Sequence, residues 1–366
     1  MKITDLRMGR ISVPLRVPFK TALRRVDSVE DTVIELVTDE GISGFGEAPP
    51  TAVITGDTRG AIEGAITEVL RPLLIGRDPL AREENCALVQ KALVHNGSAK
   101  AACDMALWDL HGKALGQPVY RMLGGSVRTI ETDLTISVNP PEEMARDARD
   151  AVERGYDTLK IKVGIDPSLD VARLSAVRDA VGPEIRLRID ANQAWRPREA
   201  VHILNEMQAK GLGLELVEQP VPAQDLDGLA YVTQNSDVPV LADESVFSPA
   251  DAMTILQRHA ADLINIKLMK CGGFTNALRI ASACEIYGVE CMLGCMLEAK
   301  ISVNAAVHLA CARSGIITRI DLDGPALCSE DPILGGAVFE GKRITVSDAS
   351  GLGIAGIAAG KITYLS

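Results

Sequence analysis

The sequence predicts an α/β fold: a (β/α)8-type barrel beneath an α+β capping domain. Three observations carry this expectation. From Glu131 onward, short apolar runs alternate with amphipathic stretches at a spacing of roughly 25–30 residues, the rhythm of parallel βα units. Eight such runs occur, enough to close a barrel of ordinary size. Consecutive runs also finish on a charge: Lys160 and Lys162 in TLKIKVG, Asp190 in LRIDAN, Glu218 in LVEQP, Asp243 in LADES and Lys267 in INIKLMK. Active sites of such barrels lie at the C-terminal ends of the strands, and these charges fall on strands two to six.

The elements follow in order. MGRISVPLRV and DTVIELVTD alternate as antiparallel strands, and GISGFGEA adds a third short strand after a Gly turn. Helical patterns cover Thr58–Ile75, Leu80–Leu93 and Ser98–Leu115, the last ended by Gly116 and Pro118. The barrel strands are expected at Thr132–Ser137, Thr158–Val163, Ile185–Asp190, Leu214–Glu218, Val238–Leu241, Leu263–Lys267, Val289–Leu293 and Ile317–Asp321. Between them lie amphipathic helices such as Pro141–Arg154, Leu169–Val181, Pro197–Lys210 and Thr275–Tyr287. The expected division is a cap over 1–125, a barrel over 126–322 and a segment over 323–366, with strand-like AVFEGKRITV, that returns to the cap. A doubly wound open sheet is the structural competitor, and no GxGxxG opens the first unit to support it.

Composition narrows the function classes. Hydrophobic residues at 47% and charged residues at 24% describe a soluble globular chain. A net charge of −11 argues against nucleic acid or an anionic membrane as the main partner. No signal peptide is read at MKITDLRMGR, and no run approaches the roughly 20 apolar residues that span a bilayer. The eight cysteines form no CxxC pair, so neither a zinc knuckle nor a disulfide scaffold is signalled. A reduced, cytoplasmic setting is the expectation.

A buried, unpaired charge costs several kcal/mol or more, so the charges at the strand ends must compensate one another. Asp190, Glu218 and Asp243 come from three successive strands and can converge above the barrel. Three oxygen donors with no His or Cys beside them favour a hard cation, Mg²⁺ or Mn²⁺. Helix capping by each carboxylate separately is the competing reading. Lys160 and Lys162 are two apart on one strand and point to one side. Repulsion, desolvation and the cation should push their pKa values down from about 10.4, which would suit a general base. Lys267 stands across the barrel mouth, and Lys270 reads as a solvated loop charge. A substrate carboxylate on the cation has its α-proton acidified through a stabilised enediolate. One lysine then removes that proton and the opposite one returns it to the other face, as in a racemase or epimerase.

These residues resemble a known family. DMALWDLHGKALGQPVYRMLGG, the KIK pair, DAN, EQP, ADES and INIKLMKCGG look like the enolase superfamily, muconate-lactonizing subgroup, over nearly the whole length. The resemblance implies the modified (β/α)7β barrel with its cap. It also implies Lys162 and Lys267 as the acid/base pair, Lys160 as a tuning and carboxylate-binding residue, and Mg²⁺ on Asp190, Glu218 and Asp243. Asn192 would support these ligands from behind.

Within the subgroup, the chain looks most like dipeptide epimerases of the L-Ala-D/L-Glu type. GEAPPTAVITGDT, the cap loop PFKTALR and IDLD carry this likeness. It implies a substrate site formed by Arg24, Thr135, Lys160, Cys295, Asp321 and Asp323. Arg24 (or its neighbour Arg25) would meet an acidic side chain, and the two Asp residues would meet the dipeptide's ammonium group. Cys295 departs from a serine common in such relatives, and Glu298 reads as a buttress for a pocket lysine. A homo-oligomer acting in murein peptide recycling is also implied. The alternatives are an N-acylamino-acid racemase, an o-succinylbenzoate synthase, a muconate cycloisomerase, or a barrel retained as a structural protein.

Overall fold

Alternation builds the cap sheet. In β1 (Ile3–Lys20), Ile11 and Val13 are buried while Ser12 and Pro14 are exposed, the pattern of a sheet with one face on a core. The computed structural model describes residues 1–365. β1 pairs antiparallel with β2 (Arg25–Thr38) from Ile3↔Thr38 to Lys20↔Arg25, so the first three residues of PFKTALR end a strand and Thr21–Arg24 form the hairpin turn. β3 (Ser43–Ala48) pairs with β2 on its other edge. The helix Gly97–Leu115 lies directly on this sheet. A Cβ on Gly46 would stand 1.9 Å from the Ala102 carbonyl oxygen, and one on Gly44 would stand 2.2 Å from that of Ala106. Glycine is what lets the backbones approach so closely. The expected Thr58–Ile75 helix runs from Arg59 to Leu74 with a wider π turn at Ala65–Leu70.

After β4 (Thr129–Glu131) the barrel strands follow: β5 (Leu134–Ile136), β6 (Thr158–Lys162), β7 (Arg186–Asp190), β8 (Leu214–Glu218), β9 (Val240–Ala242), β10 (Leu263–Ile266), β11 (Cys291–Gly294) and β12 (Ile317–Asp321). Each is parallel to the next. β5 and β12 meet by looser contacts, Asp133 N donating to Ile320 O at 3.3 Å and Leu322 N to Thr132 Oγ1 at 2.8 Å. A helix of ten or more residues follows each of the first seven strands, whereas β12 leads only into Gly324–Leu327, the (β/α)7β form. Leu216, Leu241, Leu263 and Met292 fill a layer inside the barrel, so it is a packed core.

The strands end within a few residues of their expected limits. Asp243 and Lys267 sit one residue beyond the ladders of β9 and β10. AVFEGKRITV forms a hairpin, Val338–Glu340 with Arg343–Thr345, that pairs with β4 rather than with the cap sheet. The last strand, Ile362–Tyr364, is the segment that pairs with β1.

Candidate active site

Alternation along β6 sends Lys160 and Lys162 to the same side, and both are buried with the neighbouring acids. Lys160 is the hub. Its Nζ lies 2.7 Å from Glu218 Oε2, 2.7 Å from Asp321 Oδ2 and 3.2 Å from Asp190 Oδ2. Lys162 Nζ donates to Asp190 Oδ2 at 2.5 Å. At the other end of the row, Lys267 Nζ donates to Asp243 Oδ2 at 2.7 Å and lies 3.8 Å from Glu218 Oε1. Lys162 and Lys267 thus stand at opposite ends of a carboxylate row formed by β7, β8 and the end of β9.

The electrostatics correct one expectation. Burial alone would lower the lysines, but Asp321, Glu218 and Asp190 outweigh it at Lys160 and hold that ammonium well above its ordinary range. Lys267 is raised too, its burial outweighed chiefly by Asp243. At Lys160 the neighbouring acids, Asp321, Glu218, Asp190 and Asp133, outweigh any repulsion from another lysine. Glu218 is pushed up to about 7 by burial and by Asp190 and Asp243, against Lys160 and Lys267. Asp321 is held at about 2, its burial overcome by Lys160 and Lys267. Burial and Asp321 raise Asp323 to about 6.

Lys270 is a second correction. It is buried, not solvated, because the short helix Leu268–Cys271 turns it back under Asp243. Its Nζ donates to Asp243 Oδ1 at 2.5 Å, to the Asp243 carbonyl, and to Asn265 O at 3.1 Å. Glu298 is a third. Its Oε1 accepts from Met296 N at 2.6 Å, so it holds its own loop rather than a lysine.

Above the row, Arg24, Thr135, Lys160, Lys162, Lys267, Cys295, Asp321 and Asp323 all line one pocket, roofed by Phe19 and Thr21 of the cap hairpin. The Arg24 guanidinium has no ion-pair or hydrogen-bond partner among the described residues, and its nearest acidic influence is Asp31. Arg25 points elsewhere, pairing with Asp27 at 3.2 Å. Asp321 and Asp323 diverge in their partners: Asp321 meets Lys160, while Asp323 Oδ2 accepts from Thr135 N at 2.7 Å. Cys295 is half-buried, and burial together with Asp323 keeps its thiol well above the usual range, hence neutral.

The acids suit a hard cation. Asn265 Nδ2 donates to Glu218 Oε1 at 2.9 Å, whereas Glu218 Oε2 has no hydrogen-bond donor, Lys160 being near it but out of line. Among the described residues no three His, Cys, Asp or Glu side chains are already drawn into a ligand set; ammonium groups stand between them. All-carboxylate donors with no His or Cys among them fit Mg²⁺ better than zinc.

The match to known proteins accords with this geometry. Residues 143–356 match the "Enolase C-terminal domain-like" family model, and residues 3–124 match the N-terminal domain of mandelate racemase/muconate lactonizing enzyme. The chain belongs to the enolase superfamily. This superfamily member is 55% identical over 357 residues to the L-Ala-D/L-Glu epimerase of Clostridium acetobutylicum, covering 98% of this chain and 99% of that one. A substrate-liganded structure of the Bacillus subtilis L-Ala-D/L-Glu epimerase superposes with a TM-score of 0.96 at 49% identity, covering 98% of this chain and 100% of that one. The dipeptide epimerase of Enterococcus faecalis, complexed with Mg and L-Leu-L-Tyr, superposes with a TM-score of 0.93 at 40% identity, covering 97% and 99%.

Asn265 and Gln219 join this superfamily site without having been singled out from sequence, whereas Asn192 was expected from DAN. Asn265 orients Glu218, and its position two before Lys267 in INIK was the available signal, since i and i+2 share a face. Gln219 Oε1 accepts from Asp243 N at 2.9 Å, joining two of the acid-bearing strand ends. Asn192 and Gln219 adopt φ of +43° and +35°, conformations costly for side-chain-bearing residues that tend to collect at functional sites. Asn192 Nδ2 bridges Asp190 and Glu244 at 3.3 and 3.1 Å.

Proposed function

We propose that this enzyme is a Mg²⁺-dependent dipeptide epimerase that inverts the α-carbon of the C-terminal residue, with L-Ala-D/L-Glu as its substrate class. The observation that carries it is the placement of Lys162 and Lys267 at opposite ends of one buried carboxylate row, beneath a pocket with an unpaired guanidinium. Asp190, Glu218 and Asp243 would hold the cation. Bound there, it would withdraw electrons from the substrate carboxylate and acidify the neighbouring C–H. Lys162 and Lys267 take and return the proton on the two faces of the α-carbon. Lys160 steadies the carboxylate end, Thr135 and Cys295 shape the pocket, and Asp321 and Asp323 receive the dipeptide's amine. Free thiols at all eight cysteines support a reducing, cytoplasmic setting. A homo-oligomer in murein peptide recycling completes the proposal.

A dipeptide panel incubated in D₂O with Mg²⁺ tests this reading. L-Ala-L-Glu should gain one deuteron at the Glu α-carbon and lose its stereochemical purity, with both effects stopped by EDTA. Exchange confined to N-acyl amino acids, which lack the free amine, would overturn it in favour of an N-acylamino-acid racemase.

Arg24 sets a second expectation. Losing one partner of a buried charge pair costs about 2–5 kcal/mol. Arg24→Met should therefore lower kcat/KM for L-Ala-L-Glu by roughly 30-fold or more, while L-Ala-L-Leu changes little. Parallel kinetics on the two dipeptides check it.

A further inference from the structure

The helix Lys300–Ala312 starts without a cap of its own: Ala299 holds the N-cap position and has no side-chain acceptor. Two carboxylates from the cap sheet serve it instead. Glu47 Oε2 accepts from Ser302 N at 2.7 Å and from Ser302 Oγ at 2.9 Å, and Asp31 Oδ2 accepts from Ala299 N at 3.0 Å. Asp31 lies on β2 and Glu47 on β3, diagonal neighbours through the Val33↔Glu47 pair, so both side chains leave the same face. Their carboxyls converge on the first turn of one helix, at Ala299 N and Ser302 N. Exposure is 1% at Asp31 and 0% at Glu47.

Neither acid has a Lys or Arg ion-pair partner among the described residues, and Glu47 Oε1 has no N–H or O–H donor there. The charged and titratable groups facing the pair are Arg24 from the hairpin turn, Glu298 from the loop after β11 and Cys328 beyond β12. Lys300 is engaged by Asp331 at 2.5 Å. Adjacent buried carboxylates without a cation cannot both ionise. The free oxygen of Glu47 is where a proton on Asp31 would be received.

We infer that Asp31 and Glu47 hold one proton between them, and that this acid–carboxylate pair is the positioning device that seats the cap on the substrate-lining loop Cys295–Glu298. The loop runs from β11 straight into the helix that the pair caps, and it carries Cys295, Met296 and Leu297 into the pocket. The cap hairpin bearing Arg24 and the barrel loop bearing Cys295 are thereby held in one register. Only the kinetic arm of the test rests on the proposed activity.

Burial first, then Glu47, raises Asp31 well above its ordinary 3.8, and burial raises Glu47 as well. A group whose folded pKa is raised contributes stability that is complete below its unfolded value and lost as pH climbs through the folded one. The test uses the full-length, Mg²⁺-loaded protein. Infrared difference spectra at neutral pH should show a buried carboxylic-acid carbonyl band that disappears in Asp31→Asn. Between pH 6 and pH 9 the Tm of the wild type should fall by about 2–4 °C more than that of Asp31→Asn. An unchanged band, or parallel Tm curves, would overturn the shared proton. Asp31→Ala should raise KM for the dipeptide by about tenfold, within the cost of misplaced positioning groups, and Asp31→Asn should restore most of it. Equal KM values in the two variants would overturn the positioning role. If the alanine variant does not fold, Glu47→Gln replaces it: a displaced or lost carbonyl band supports the pair, and a band unchanged in frequency and intensity refutes it.

Discussion

Lys162→Ala and Lys267→Ala should each lower kcat for epimerisation by about 10²–10⁴-fold, the range a positioned acid or base supplies. The double variant should be little worse than either single one, because residues acting as a unit are not additive. The sharper expectation concerns exchange. With Lys267 gone, Lys162 still reaches the α-proton of one epimer, so that epimer should wash in deuterium from D₂O without inverting. The mirror pattern should hold for Lys162→Ala with the other epimer. Proton NMR of each pure epimer incubated with each variant reads this directly. Loss of exchange from both epimers, or retention of inversion, would refute a two-base mechanism. The variants should fold, because each removal leaves the exposed acid another cation: Asp243 keeps Lys270 at 2.5 Å, and Asp190 keeps Lys160 at 3.2 Å. A buried pair broken outright would cost about 3–5 kcal/mol.

The site was legible wherever its information is local. KIK, LRID and LVE each end a strand, and strand alternation tells which side chains share a face, so the acids and the outer lysines could be placed by counting. Lys270 could not. Its burial depends on a one-turn helix after β10 that folds it beneath Asp243, and nothing in KLMK distinguishes that turn from an open loop. The charge balance at Lys160 is hidden in the sequence for a related reason. Counting like charges along β6 gives repulsion, whereas the acids that decide the balance arrive from β7, β8 and β12. Arg24 and Arg25 could not be separated in the sequence. They part because the hairpin turn ends between them, leaving Arg24 over the pocket and Arg25 on the outer edge beside Asp27. The Asp31–Glu47 seam was the least visible, since Asp31 meets a backbone N–H 268 residues away.

The carboxylate row carries the second large effect. Glu218→Gln should abolish tight Mg²⁺ binding in calorimetry and lower epimerisation by several orders of magnitude, yet leave the Tm in EDTA close to that of the wild type. Glu218 is the middle acid of the row, and its change would remove one of the three hard anionic oxygen donors proposed to hold the cation. Asn265 can still donate to the amide oxygen at the Oε1 position, and Lys160 keeps Asp190 and Asp321 as partners. Nothing buried is therefore stripped of its last partner, which is the usual source of large destabilisation. Burial bears on the Glu218 charge first, and Asp190 and Asp243 press on it from both sides. Neutralising the middle acid relieves that repulsion, as happens when a strained functional group is exchanged for a bland one. A variant that still bound Mg²⁺ as tightly as the wild type would remove Glu218 from the ligand set. A large fall of Tm in EDTA would instead make Glu218 a structural anchor for Lys160. The expected separation, metal affinity lost while the fold is kept, is what marks these acids as held together for the reaction rather than for the barrel.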